Sequence, residues 1–292
     1  MAFQSWDDAG NLLFNTNNMT YGLVASGNLS RINNWYRWSL RSAQLDPNNP
    51  ANYTQIGPYD AVFGFSVVNS IAPIAFINGE GMYAGSQRSG NVTTFYYIFS
   101  SANTRIYIFD VMRDIPIAAG MKCYADDAAN TCTFNSAQVP LNIVAVHQCP
   151  PPSPPTSNNY YPMPISGGSK RYERLLPNNE YTSYMVVRCP IAIGANNYAV
   201  ATTFSRSMSM GRHDSFSPLG GLNLAYSNYM GAFDGCWGTA GGIVWAVTDA
   251  ARTQMIPAST AIPNGYANIP QDRYPQALVV SIDNLPIPYS AY

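Results

Sequence analysis

FQSWDDAGNLLFNT, Phe3 to Thr16, and MKCYADDAANTCTFNS, Met121 to Ser136, are two versions of one phrase. Each starts with a short apolar-polar alternation and passes through an acidic run of small residues. Each emerges on an aromatic followed by Asn and a hydroxyl residue. The alternation reads as strand, and the acidic run reads as turn because Asp bonds its own backbone. Phe3-Gln4-Ser5-Trp6 aligns with Met121-Lys122-Cys123-Tyr124, with two extra residues in the second turn. From Phe14 against Phe134 the match runs without gaps. Asn15-Thr16 meets Asn135-Ser136, and Leu23-Val24-Ala25 meets Ile143-Val144-Ala145. Apolar positions stay apolar, so the buried strand face is kept. A hairpin with a third strand can hold a hydrophobic face, which an isolated hairpin barely can. The expected fold is all-β with two β-sandwich-like domains, 1–115 and 116–292, each opening with the same meander.

The rest of the chain has the same period. AVFGFSVV (Ala61 to Val68), TTFYYIFS (Thr93 to Ser100), RIYIFDVM (Arg105 to Met112) and YMVVRCPIAI (Tyr184 to Ile193) are rich in β-branched and aromatic residues, as are YAVATTFS (Tyr198 to Ser205), GIVWAVTD (Gly242 to Asp249) and ALVVSID (Ala277 to Asp283). Gly, Asn, Pro or Ser bounds each of them. The 22 Pro and 22 Gly leave little room for long helices. NNWYRWSLRSA, Asn33 to Ala43, reads as a short helix capped by Asn33 or Asn34, with strand as the competing reading. The Pro-dense stretch at 149–164 reads as a loop inside the second domain rather than a linker. The tail DNLPIPYSAY is extended and apolar; it suits either a neighbouring subunit or a terminal strand on its own sheet edge.

Charged residues make up 11% of the chain, against about 25% in an average soluble protein. The surface must therefore be built from Asn, Ser, Thr, Gln, Tyr and Gly, a composition that suits extracellular or virion surfaces. The net charge is −1 and Lys occurs only at Lys122 and Lys170, so the clustered cations that nucleic-acid binding needs are missing. No run approaches the roughly 18 to 20 apolar residues of a membrane-spanning helix. The first ten residues carry no basic or apolar signal region.

Residues capable of chemistry are sparse. A Ser-His-Asp hydrolase would have to use His147 or His213 with Asp214, yet no G-x-S-x-G elbow is present. Cys123, Cys132, His147 and Cys149 lack the close cysteine spacing of a structural zinc site. The carboxylate pairs Asp7-Asp8 and Asp126-Asp127 fall in the repeated turn and read as turn formers. With Asp126 to Ala129 as a turn, Cys123 and Cys132 are expected opposite each other, as a thiol pair or disulfide. No cofactor and no metal is expected, and no enzymatic activity.

What stands out is aromatic. Tyr accounts for 21 residues, many beside Asn and Ser. Trp35, Tyr36 and Trp38 form one cluster, Tyr160 and Tyr161 a second, and Tyr226, Tyr229 and Trp237 a third. Tyr and Trp give rigid amphipathic contact area, and Ser, Gly and Asn add adaptable hydrogen bonds. These residues are the expected recognition surface. Trp6, Phe14, Asn15, Tyr124, Phe134 and Asn135 mark the repeated hairpins.

The element Gly10-Asn11-Leu12-Leu13-Phe14-Asn15-Thr16, followed by an apolar third strand, resembles the opening of β-rich proteins encoded among the distal tail genes of tailed bacteriophages, which show a GN..FDS phrase in a hairpin near the start. Here Asn15 and Asn135 stand where Asp is frequent, and the second copy is read with Ala129 for the Gly. The likeness covers about fifty residues, counting both copies. It implies a structural virion protein of the tail tip, baseplate or fibre, made in the host cytoplasm and packaged. Such a protein attaches fibres or spikes and contacts a host-surface glycan or pilus. Its partners would be other tail proteins in a homo-oligomeric or symmetric assembly. A carbohydrate-binding lectin-like module is the alternative, and a glycan-processing enzyme a third.

Overall fold

The computed structural model describes residues 4–6, 8–10, 12–15, 18–127, 129–156, 159–174, 183–214, 226–249, 254–258 and 262–291. The first half of the chain supplies β1 (Gln4–Trp6), β2 (Leu12–Asn15), β3 (Tyr21–Asn28), β4 (Ser30–Leu40), β5 (Tyr53–Val68), β6 (Ile74–Asn78), β7 (Met82–Ser89), β8 (Val92–Ile98) and β9 (Arg105–Val111). The second supplies β10 (Lys122–Tyr124), β11 (Cys132–Asn135), β12 (Ala145–Gln148), β13 (Ser169–Arg174), β14 (Ser183–Thr202), β15 (Ser207–Asp214) and β16 (Tyr226–Thr248). It ends with β17 (Gln254–Pro257), β18 (Gly265–Ala267), β19 (Gln276–Ser281) and β20 (Tyr289–Ser290). The fold is all-β and of β-sandwich type. Among the described residues the helical content is one 3-10 turn, Pro50–Asn52, capped where the Asn49 side chain accepts from Ala51 N–H at 3.0 Å. The segment read as a helix from Asn33 is strand β4 instead. Its Trp, Tyr and Ile side chains suit a pleated surface, and pairing along the length of β5 outweighs the Asn cap.

The two hairpins share one geometry. In β1–β2 the partners are Gln4↔Asn15, Ser5↔Phe14 and, past a register shift, Trp6↔Leu12. In β10–β11 they are Lys122↔Asn135, Cys123↔Phe134 and, past the same shift, Tyr124↔Cys132. Asn18 N–H bonds Asn15 O, and Gln138 N–H bonds Asn135 O, each at 3.0 Å. The shared register corrects two expectations. Cys123 faces Phe134, not Cys132, because the shift takes up one residue of β11, and all five cysteines are free thiols. Asn130, not Ala129, stands in the place of Gly10: the two have φ of 48° and 82°, the left-handed region that Gly and Asn tolerate best.

The halves meet strand against strand. β3, β9 and β6 lie side by side, and so do β12, β19 and the second part of β14. The equivalence carries through: Ala25 pairs with Ile108 as Ala145 pairs with Val279. β6 then meets β14 at Ile77↔Val200. On the other side Gly22 bridges Pro140, with Leu23 N–H on Val139 O and Leu141 N–H on Tyr21 O, both at 2.8 Å. Tyr21 and Leu141 are equivalent residues of the two copies, so this join runs about a local two-fold axis. Six strands thus form a ring, closed between β3 and the 139–141 segment that leads into β12 rather than by β12 itself. One set of alternating side chains gathers in a single cluster: Leu23, Phe76, Tyr107, Phe109, Ala199, Ala201, Val280 and Ile282.

The opposite side chains of the ring strands face two flanking layers. In the first half Ile77, Ile106 and Ile108 pack with Val62, Val67, Phe95 and Tyr97 of the sheet β4-β5-β8-β7. In the second, Val200, Ala277 and Val279 pack with Val187, Met208, Met210, Met230 and Trp245. The C-terminal segment returns to its own chain: Tyr289↔Ser26 and Ser290↔Ala25 place β20 on the edge of β3. Cys149 to Pro164 folds back on itself, with Ser153 N–H on Met163 O and Ser166 N–H on Pro151 O. Cys149 and Ile165 at the ends of this stretch sit buried in the second-half core.

Candidate functional site

β17 runs parallel to β4 through Gln254↔Trp38 and Met255↔Ser39, and this contact brings the halves together at the surface. An open groove of 920 Å³ lies beside it. One side comes from the first half: Trp35 and Trp38 of β4, Tyr83 and Gly85 of β7, and Ile98 of β8. The other comes from the second half: Phe204, Ser205, Ser207, Ser209, Tyr229 and Phe233. The buried Met230 and Ala232 contribute between them.

Local sequence explains both walls. Trp35 and Trp38 are three apart, a spacing that puts residues on opposite faces of a regular strand. The register of β4 shifts at Tyr36/Arg37, where β5 jumps from Tyr59 to Ile56 across Gly57-Pro58. Such a shift re-aims side chains, and both tryptophans reach the groove. Across from them, Ser205-Arg206-Ser207-Met208-Ser209-Met210 alternates. Ser205 and Ser207 are exposed and Ser209 half-buried, whereas Arg206, Met208 and Met210 are buried.

The groove is apolar with hydroxyl groups and carries no side chain that is charged near neutral pH among its described lining residues. Trp38 is 42% exposed. Trp35 packs on Tyr96, their ring centroids 6.2 Å apart. Arg273 stands over the Phe204 ring at 5.6 Å. A second recess of 510 Å³ adjoins, lined by Asn159, Tyr160, Tyr161, Tyr229, Ala267, Asn268 and Ile269. Tyr229 belongs to both. Tyr160 Oη donates to Tyr229 Oη at 3.1 Å, and this bond, ahead of burial, pushes the Tyr160 phenol up to about 12. Gln271 Nε2 donates to Tyr161 Oη at 2.5 Å.

The charges sit underneath. Arg37, 5% exposed, pairs with Asp60 at 3.1 Å and approaches Asp249 at 3.8 Å, linking β4 to the end of β16. Arg206 is buried on Asp234: its N–H and Nε donate to the carboxylate at 2.6 and 2.7 Å. Its Nη2 donates to Cys149 Sγ at 3.3 Å. Burial pushes the Cys149 thiol up to about 12, aided by the Asp234 charge, so it stays protonated. These buried pairs support the walls and are not among the described residues that line the groove.

Of the eight aromatics expected at a recognition surface, Trp35, Trp38, Tyr160, Tyr161 and Tyr229 line the two recesses. Tyr36 is 39% exposed but lines neither of them. Trp237 is a correction: it is 2% exposed, packed at 5.9 Å against Phe99, because its position on β16 faces the shared core. The side chains of Tyr226, His213 and Asp214 lie outside the described residues, as does Asp7. Tyr83, Phe204, Phe233 and the three serines were not singled out from sequence; the Ser-x-Ser-x-Ser alternation was their one visible signal. Among the described residues no three His, Cys, Asp or Glu side chains gather to hold a metal ion. No helix of the described residues is long and apolar enough to cross a membrane. Asp126 and Asp127 lie in the β10–β11 turn, where the Asp127 carboxylate accepts from Thr131 N–H at 3.0 Å and Thr131 Oγ1 at 2.7 Å. The chain matches no protein-family model, no curated protein and no solved structure.

Proposed function

We propose that the protein is a non-enzymatic β-structured subunit of the distal tail of a tailed bacteriophage, acting by docking and adhesion, with the aromatic groove as its recognition surface. One observation carries the reading: five of the expected recognition aromatics converge on two adjoining open recesses with hydroxyl and amide groups between them. Flat rings offer faces for the C–H surfaces of a sugar or for an apolar loop of a neighbouring subunit. Hydroxyls and amides then fix orientation. The described lining residues of the groove carry no charged side chain, which suits a ligand that is neutral where it meets the rings. The repeated hairpin supports the tail assignment through its resemblance to distal tail proteins. The docking is multivalent: weak sites repeated on a symmetric particle bind far more tightly than one.

The second reading, a lectin-like module acting alone, draws on the same groove. Two measurements separate the readings. Mass spectrometry of purified virions detects the protein if it is a tail subunit; absence from particles ends the tail reading. A neutral-glycan array with the isolated protein reports sugar binding, and Trp38→Ala should weaken that binding about tenfold, or about 1.4 kcal/mol, at unchanged stability. Full binding by Trp38→Ala would move the recognition surface elsewhere.

A further inference from the structure

We infer that the outer edge of β12 is a self-association site at which a second copy of this chain pairs its own β12. The inference stands independently of the tail assignment, because it rests on the internal symmetry of the fold.

β3 and β12 are equivalent strands of the two copies, and they end up in opposite situations. The edge of β3 is covered: β20 pairs with Ser26 and Ala25, and Ala291 N–H bonds Val24 O at 2.9 Å. Leu23, Val24 and Ser26 are accordingly 0%, 0% and 3% exposed. β12 pairs with β19 alone among the described residues. Its side of the fold shows Ile143, Val144 and Val146 at 36%, 46% and 53% exposure.

The free groups can be assigned. Val144 N–H bonds Val279 O and Cys149 N–H bonds Pro275 O, each at 2.9 Å; Val144 and Ala145 both lie against Val279, and from Ala145 onward partners alternate along an antiparallel ladder. Ala145 and His147 therefore bond β19, and the backbone N–H and C=O of Val146 face outward. These match Ser26, which β20 occupies on the equivalent edge. An open row of backbone groups beside exposed valines is a template for another strand. Natural edges are guarded by charge, yet the chain carries no Asp, Glu, Lys or Arg between Asp127 and Lys170.

The occupant follows from counting edges. Among the described residues each chain has two equivalent edges and one segment, 284–291, that covers such an edge. Moving that segment to a neighbour's β12 would only uncover the donor's β3, with no net gain. Pairing β12 with β12 of a second copy, antiparallel about a two-fold axis, closes both free edges at once and is an isologous contact. The chain already joins equivalent strands in this way twice, at Tyr21–Leu141 and at β6–β14. Pro140 and Pro150 bound the shared ladder, which is therefore short, centred near Val146, and gives a dimer of modest affinity.

Sedimentation velocity across a concentration series on the intact chain tests this. The native protein should pass from monomer to dimer as concentration rises. Val146→Pro removes an N–H that β19 does not use, and Val146→Lys adds a charge at the edge; both should stay folded and monomeric. Hydrogen exchange on the unsubstituted protein reads the same contact without any change in sequence. The outward amides of Val146 and Gln148 should slow at least tenfold between dilute and concentrated samples, whereas those of Ala145 and His147, bonded to β19, should not change. A monomer at every concentration, a dimer that survives both substitutions, or exchange at Val146 and Gln148 that ignores concentration would each overturn the inference.

Discussion

Asn135 shows what one side chain decides. It is fully buried; its Nδ2 donates to Arg113 O at 2.8 Å and Ile115 O at 3.0 Å, and its Oδ1 accepts from Ala137 N–H at 3.0 Å. A carboxylate in that place would face two carbonyl oxygens with no hydrogen to offer, so the site calls for the amide of Asn. Asn135→Asp should lower stability by about 3 kcal/mol in urea denaturation. Asp127, in the same hairpin, works the other way. Bonds from the Thr131 side chain and backbone hold its carboxyl below the usual range. A depressed folded-state pKa stabilises above the unfolded value of about 3.9, and that contribution is lost as pH falls through the lowered value. The Thr131 amide should therefore exchange faster, after correction for intrinsic rate, as pH falls below about 4, and Asp127→Asn should remove this dependence. Trp237 is the caution at this scale: it resembles the groove aromatics in sequence context yet serves the core.

Strands in this fold are long and change partners along their length. β16 has 23 residues; it pairs with β15 over Tyr226 to Phe233 and with β14 over Ala240 to Thr248. Between those ladders lies Gly238, where a Cβ would sit 1.9 Å from Tyr198 O and 2.5 Å from its carbonyl carbon. Those are backbone atoms that cannot swing aside. Gly238→Ala should cost at least about 3 kcal/mol, read as a lowered midpoint in guanidinium unfolding. β14 divides in the same way, meeting β16 with its first part and β19 with its second. β4 shows the converse: a register shift within one strand, opposite Gly57-Pro58, places two tryptophans in one groove.

At the scale of the molecule, ladders cross between the stretches 1–115 and 116–292 at β6–β14, β17–β4 and β20–β3. The cluster within the ring draws on both halves, Phe76 and Phe109 from one and Val280 and Ile282 from the other. Neither half keeps that cluster covered when alone. Scanning calorimetry should give a single transition whose calorimetric and van't Hoff enthalpies agree. Two resolved transitions would mean that each half folds by itself. The same architecture makes the groove, since its walls come from different halves and exist only when they are joined.

The strand content, the turn chemistry and the repeated hairpin were legible in the sequence because each depends on residues near one another along the chain. Alternation of side chains, Asp in a turn and Asn or Gly at a positive φ need no distant partner. Local order also carries the parity of a regular strand, as in Ser205-Arg206-Ser207-Met208, but not that of β4, whose register shifts at Tyr36/Arg37. It could not give which face of a strand meets which neighbour. That choice buried Trp237, opened Trp38, set Cys123 against Phe134 and, among the described residues, left β12 without the edge partner that β3 has in β20. Those outcomes were decided by tertiary structure, because they depend on how two similar halves close on each other, and the cost of an uncovered apolar face is set by the whole assembly of sheets rather than by any one strand.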